Sequence, residues 1–398
     1  MNVLQEVRWT PQITTTLGPA PGRTMLSIWE SGSFHGRPHL AVVGGGIVGL
    51  FTALFYKRAH PGHQVVVLER GAWPSGASVK NAGFACFGSP SELMADMEKE
   101  GRDAALARVE NRWRGLLELR AELGDANIGF EATGGYEIYR ERDPLYTRVA
   151  EGFDDLNKTL LPLFGEPAYR WDEAAAQRFG MNGIGHVART DLEGPLDTGM
   201  LMSTLLRKAQ AEGVLFRPSS GVNAIEERSD GARLRLTDGT TIIAGQVVVA
   251  TNGYASALLP QLDVVPARGQ VLLTSPVPGL GLRGTFHLDE GFYYFRDHQG
   301  AVLLGGGRNL DIAGETTTDD GTTPLIQDAL ERLLREVIIP GRSFSVVQRW
   351  SGIMGMGASK TPIIQRMSER VSAAVRLGGM GVAIGIRVAR QAAALVSE

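Results

Sequence analysis

Apolar residues recur along this chain with two periods, and the changes between them mark out its elements. Leu40-Ala41-Val42-Val43, Val65-Val66-Val67-Leu68 and Val247-Val248-Val249 are short uninterrupted runs, the pattern of strands buried on both faces. Ile47 to Arg58 predicts a helix between the first two. Ala104 to Leu123 predicts a packing helix, with Leu106, Val109, Trp113, Leu116, Leu117 and Leu119 as its apolar positions. Gly134 to Arg140 reads as a strand, Asp197 to Gly213 as a helix leading into Val214-Leu215-Phe216, and Pro324 to Ile338 as a further helix. In Ala232 to Ile243 the period falls to two around Asp238-Gly239, a hairpin signal. A second β-rich region runs from Val264 to Gly307. Its clearest part is Gly291 to Arg296, a turn at Asp297 to Gly300, and the return strand Ala301 to Gly305. Period two places Tyr293 and Phe295 on one face of that hairpin and Tyr294 and Arg296 on the other, so only one pair can face a ligand. Residues 1–36 are rich in Thr, Pro and Gly without a sustained period and read as a surface extension, with Met25 as an alternative start.

The first strand runs directly into Gly44-Gly45-Gly46-Ile47-Val48-Gly49, and the second ends at Glu69. That spacing is a dinucleotide fingerprint. Gly44 makes the tight turn, Gly46 lets the backbone approach a pyrophosphate, and Gly49 allows close helix-to-sheet packing. Ile47 and Val48 open the helix whose free N–H groups and dipole favour phosphate, and Glu69 can accept hydrogen bonds from a ribose. The strand at Val247 ends in the small polar turn Thr251-Asn252-Gly253, at the carboxyl end where an open α/β sheet places ligands. Gly379 and Gly381, just before the last helix, make a second place for backbone N–H groups to meet a ligand.

A chain of 398 residues predicts two interleaved domains. A net charge of −3 and a pI near 6.2 leave no basic footprint for nucleic acid. One cysteine, Cys86, cannot form an internal disulfide, and no early apolar stretch resembles a signal peptide, which points to the cytoplasm. The apolar run Leu40 to Tyr56, about 17 residues, is short for a membrane span and is interrupted by four glycines, so none is expected. No metal site is expected.

Taken in order, these motifs resemble the flavin-dependent amine and amino-acid oxidoreductases of the D-amino-acid oxidase type. The likeness covers about Pro38 to the C-terminus. It rests on the Gly44 to Gly49 segment with Glu69, Gly76 to Gly83, Val247 to Tyr254, Pro266 to Gln270, the Phe292 to Arg296 hairpin, Trp350-Ser351-Gly352 and Leu377 to Ala383. The resemblance implies an α/β fold: a Rossmann-like FAD-binding domain (37–90, 190–260 and 362–398) interleaved with an α+β substrate domain (91–189 and 261–361) built on an antiparallel sheet. It implies noncovalent FAD. Gly44, Gly46, Gly49, Glu69 and Arg70 would hold the ADP half; Ala77, Ser78, Asn81, Ala82 and Gly83 would pass the pyrophosphate and ribityl chain; and Val222 would contact the adenine side. Gly379, Met380, Gly381 and Val382 would face the isoalloxazine O2 and N1 edge, where a helix N-terminus stabilises developing negative charge. Gly352 belongs to the same cofactor set.

Amino-acid oxidases of this type hold the substrate carboxylate with an arginine shortly after the Trp/Ser-Gly turn. Here that stretch reads Ser351-Gly352-Ile353-Met354-Gly355, and Met354 cannot replace a guanidinium fork. The expectation is therefore a small primary or secondary amine as substrate, as in the γ-glutamylputrescine oxidoreductase branch, oxidised by hydride transfer to flavin N5. Oxygen or another acceptor would take the electrons. Candidate pocket residues are Tyr293, Phe295, Arg296, Met354 and Lys360, with His287 read as a surface or turn histidine and Cys86 as a small buried thiol. Two alternatives remain: an amino-acid oxidase or dehydrogenase of the glycine or D-amino-acid type whose carboxylate clamp is Arg296 or Arg308, and a nonenzymatic flavoprotein or complex subunit.

Overall fold

The computed structural model describes residues 27–34 and 36–397. They fall in two units, 1–37 and 38–398. Most of the N-terminal extension and Met25 lie outside the described residues. Within the first unit, Ser27 and Glu30 close a reciprocal capping box on the short helix Ile28–Ser33.

The second unit is built on two large sheets. The six-stranded sheet runs in the order Ile363–Arg366, Val371–Val375, Gln246–Val249, Leu40–Val43, Val65–Leu68, Leu215–Arg217. All its pairs are parallel except the 363–366 edge. Alternation assigns its two sides: Leu40 and Val42 pack with helices Ile47–Ala59, Thr198–Ala211 and Gly381–Leu395, whereas Ala41 and Val43 pack against the three-stranded sheet of Val222–Arg228, Gly231–Leu236 and Thr241–Ala244. Coverage on both sides is why these strands read as uninterrupted apolar runs. A Cβ at Gly49 would collide with the Gly44 carbonyl, so that glycine does set the helix against the sheet.

The eight-stranded sheet runs Val346–Met356, Val265–Thr274, Ala301–Gly306, Tyr293–His298, Thr285–Leu288, Gly135–Arg140, Ile184–Thr190, Arg170–Trp171. It is antiparallel except where 285–288 runs parallel to 135–140. Helix Pro324–Leu333, which ends in a π-helical turn at Leu334–Ile338, covers its back with Ile326, Leu330 and Leu334. The fold is thus a mixed α/β architecture, a Rossmann-like sheet joined to a separate α+β region on an antiparallel sheet.

Three elements differ from the sequence reading. Pro90–Glu100 and Pro144–Phe164 are helices, each started by a proline in its first turn. Trp350-Ser351-Gly352 is no turn but the middle of the eleven-residue strand Val346–Met356, with Gly352 opposite Gly269 and Ser351 opposite Gln270. The glycine serves packing there, since a Cβ would sit 3.0 Å from the Lys80 Cβ.

Candidate active site

The fingerprint residues converge at the carboxyl end of the parallel sheet. Gly44 holds φ +109°, and a Cβ on it would lie 2.8 Å from the Ala250 carbonyl oxygen. Ile47 and Val48 are buried and pack their side chains on Gly385 of the last helix. Gly46 caps that helix without a side-chain partner, and the Ile47 N–H donates to Ser78 Oγ at 3.1 Å. The Glu69 carboxylate, 5 % exposed, accepts from the N–H groups of Gly45 and Gly71 at 2.9 Å each and from Ser75 Oγ at 3.1 Å. Arg70 lies on the ring of Tyr254, 3.9 Å from its centroid, and Val222 opens the neighbouring three-stranded sheet.

The 77–83 segment is held by its own side chains. Asn81 Nδ2 donates to the carbonyls of Ala77 and Ser78, and its Oδ1 accepts from the Gly83 N–H, so Asn81 shapes the loop. Ala82 is buried against Val271, Leu303, Tyr294 and Trp350 on the front of the antiparallel sheet. Thr251 Oγ1 is buried without a partner. Asn252 Oδ1 accepts from the N–H groups of Arg376 and Leu377, and Gly253 packs against the Met354 carbonyl, 2.5 Å from where a Cβ would be. This joins the end of the parallel sheet to strand 346–356. The helix opening at Gly381 has Met380 as its cap residue with no side-chain bond; the Ala383 N–H turns back to the Met380 carbonyl, which leaves those of Gly381 and Val382 as the donors for a ligand. Gly379 holds φ +82°, and its missing Cβ would lie 3.4 Å from Met354 Sδ. These are the features an FAD needs: two uncapped helix starts, a ribose acid, an orphan hydroxyl, and glycines where a flat ring system approaches backbone. The residues present fit the cofactor.

Register fixes which hairpin face looks this way. Met354 and Gly352, Ala267 and Gly269, Gly305, Tyr294 and His287 lie on one face by successive cross-strand pairing. The Tyr294 ring lies over Gly305, where any Cβ would strike it, and stands edge-on to Phe84, as does His287. Tyr293 and Phe295 point the other way: Phe295 is fully buried and stacked on Phe286 at 4.8 Å, and Tyr293 joins the same core. Both are corrected from pocket residues to core residues. Arg296 shares the face of Tyr294 but is a strut. Its Nη1 donates to the carbonyls of Leu196 at 2.6 Å and Gly83 at 3.1 Å, and its Nε to that of Asp297. Its Nη2 faces His298 Nδ1 at 3.4 Å, and burial lowers its pKa. Arg308 opens the turn after Ala301–Gly306, with Nε buried and unpartnered.

Residues the sequence did not single out close the site. Helix Pro90–Glu100 presents Glu92 and Asp96, spaced one turn apart, to Lys360 Nζ at 3.1 and 2.7 Å. Lys360 is therefore an ion-paired residue. Arg112, 2 % exposed, holds the same Glu92 oxygen at 3.2 Å and the Phe87 carbonyl at 2.9 Å. Burial alone would raise the Glu92 pKa; Arg112 and Lys360 outweigh it and pull the carboxyl down to about 2. His287 is a strand residue, not a surface one. Burial pushes its pKa down to about 4, with Glu92 opposing, so its imidazole is neutral at pH 7. Behind it, burial raises Glu193 to about 8 against the Phe87 and Gly88 N–H groups, and raises the Cys86 thiol well above its usual range. No short motif marks Glu92; only the helical spacing with Asp96 was available.

Comparison with known proteins agrees with this layout. The family model described as DAO, FAD dependent oxidoreductase, matches residues 39–395. The chain is 25 % identical over 363 residues to a probable oxidoreductase OrdL of Rhizobium meliloti, covering 87 % of this chain and 80 % of that one. It is likewise 25 % identical to a glycine oxidase of Geobacillus kaustophilus, covering 84 % and 85 %. A solved iminodiacetate oxidase from Chelativorans superposes with a TM-score of 0.71 at 20 % identity, covering 90 % and 95 %. No helix among the described residues is long and apolar enough to cross a membrane. The chain belongs to the DAO family of FAD-dependent oxidoreductases, enzymes of amine and amino-acid C–N oxidation.

Proposed function

We propose that this flavoenzyme oxidises the C–N bond of a small amino acid of the glycine or N-substituted glycine kind, and that its carboxylate is held by a group other than the arginine absent at Met354. The amino-acid relatives support this reading over the carboxylate-free amine expected from Met354; none singles out γ-glutamylputrescine. The observation that carries it is a collar in which Met354 lies against both Gly269 and Gly379 and Tyr294 against Gly269, with His287 paired to Tyr294 across the sheet. FAD, when bound, supplies the redox chemistry by accepting the hydride from the carbon bearing the nitrogen. The chain's own part is orientation and exclusion of water. Tyr294 and Phe84 give the apolar wall, while neutral His287 can accept a hydrogen bond from a substrate N–H without repelling it. The cofactor set named above and the division into FAD-binding segments (37–90, 190–260, 362–398) and substrate segments (91–189, 261–361) belong to this proposal, as does a cytoplasmic location.

Anaerobic mixing with glycine, sarcosine, D-alanine, putrescine and γ-glutamylated amines, followed at the flavin absorbance, tests it. Bleaching by amino acids supports the reading; bleaching by carboxylate-free amines alone restores the amine assignment, and no bleaching by any substrate points to a nonenzymatic flavoprotein. Reoxidation in air against an artificial acceptor then separates oxidase from dehydrogenase.

A further inference from the structure

We infer that Lys360 is the carboxylate clamp of this enzyme, standing in for the arginine that Met354 replaces, with Glu92 and Asp96 as its positioning residues. The inference rests on the amino-acid reading above. Arg296 is set aside because its Nε and Nη1 are held by the Asp297, Leu196 and Gly83 carbonyls and its Nη2 faces His298. Lys360 lies on the segment that leaves strand 346–356, six residues beyond Met354, and turns back toward helix 90–100. Its acid partner Glu92 is the one carboxylate that acts on His287, and His287 pairs with Tyr294 across the sheet. The lysine is thus tied through Glu92 to the His287 side of the sheet.

Its acid partners have cations of their own. Glu92 has its own cation in Arg112, and Asp96 has its own in Arg108 at 2.7 Å. Glu100, the third acid of that helix face, sits one turn farther on and takes only Arg108. Glu193, raised to about 8, and the raised Cys86 thiol add no negative charge at pH 7. Glu92, Asp96 and Glu100 thus meet Arg108, Arg112 and Lys360, three carboxylates against three cations, and Lys360 offers an incoming carboxylate its remaining donor rather than surplus charge. Two of its three N–H donors are taken, by Glu92 and Asp96; the third is free for an incoming carboxylate, and the side chain is 38 % exposed. The two acids give a flexible lysine the fixed direction that an arginine fork has intrinsically.

The test uses FAD-loaded wild type, Lys360→Met, Lys360→Arg and Arg308→Met, with acetate as an unreactive carboxylate probe read by its perturbation of the flavin spectrum. FAD content and far-UV circular dichroism establish that each variant is folded. Lys360→Met should weaken acetate binding about 10- to 100-fold, the range for losing a charge-assisted hydrogen bond. It should raise KM for the amino acid in step while leaving kcat nearly unchanged, and Lys360→Arg should recover most of the loss. Unchanged acetate affinity in Lys360→Met, or a loss confined to Arg308→Met, overturns the assignment to Lys360 and leaves the amino-acid reading standing. A wild type that ignores acetate and is bleached only by carboxylate-free amines overturns both.

Discussion

The Ser91 N–H donates to the Glu137 carboxylate at 2.9 Å, so a side chain on the antiparallel sheet caps the helix that carries Glu92 and Asp96. Ser89 Oγ, Ser91 Oγ and the Tyr139 hydroxyl converge on the same carboxylate, which is 2 % exposed. Glu137→Ala strands all four donors in a closed space. The expected loss is about 3 kcal/mol or more, seen as a lower midpoint in chemical denaturation, with a smaller loss in Glu137→Gln. An unchanged midpoint would show that the cap contributes nothing.

Tyr294 and Phe295 are neighbours in sequence and opposites in role. Phe295→Ala opens a cavity beside Phe286 and should cost about 3–5 kcal/mol, with KM and kcat nearly unchanged in the folded fraction. Tyr294→Phe keeps the ring over Gly305 and removes only a hydroxyl, so thermal stability should hold while kcat/KM shifts. Steady-state kinetics beside thermal melts separate the two; a kinetic defect in Phe295→Ala without destabilisation would reverse the assignment of faces.

The same pair shows how far the sequence carries. Period two separated Tyr293 and Phe295 from Tyr294 and Arg296, but which face was covered depended on helix Pro324–Leu333, more than twenty residues downstream. The parallel strands and the Gly44 to Gly49 turn were legible because burial on both sides and positive φ leave direct marks on composition. Trp350-Ser351-Gly352 was misread as a turn because the glycines of strand Val346–Met356, Gly352 and Gly355, serve close packing against Lys80 and Asn252, contacts that involve distant segments. Glu92 was missed for a related reason. A carboxylate on a polar helix looks solvated until Arg112, Lys360 and His287 arrive from three other elements.

Arg296 ties the hairpin to the 83 and 196 segments through the Gly83 and Leu196 carbonyl oxygens. Arg296→Met leaves those carbonyls without their donor and should lower the melting temperature and the FAD content of purified protein. The flavin-loaded fraction should keep its KM, because the guanidinium does not meet the substrate. A selective rise in KM at full FAD occupancy and unchanged melting would return Arg296 to the clamp role.

Glu193 imposes a pH dependence of defined sign. Burial raises its carboxyl from 4.5 to about 8, partly offset by the Phe87 and Gly88 N–H groups. Between those values the folded state keeps a proton that the unfolded chain has released, so stability falls as pH rises through the window and levels off above it. One such group contributes a slope approaching ~1.4 kcal/mol per pH unit. Glu92 acts oppositely, and its contribution is lost only as pH falls from 4.5 toward about 2, outside this window. Glu137, Asp289 and Asp297 are also raised by burial, but they are common to the wild type and a Glu193→Gln variant. Glutamine keeps an acceptor oxygen for both N–H groups and has no proton to lose. Urea denaturation from pH 5 to 9 should therefore show the variant gaining on the wild type up to pH 8 and then running parallel to it. Curves parallel over the whole range would mean that Glu193 is ionised in the folded protein, and that its charge is stabilised within the pocket wall by more than two backbone N–H groups.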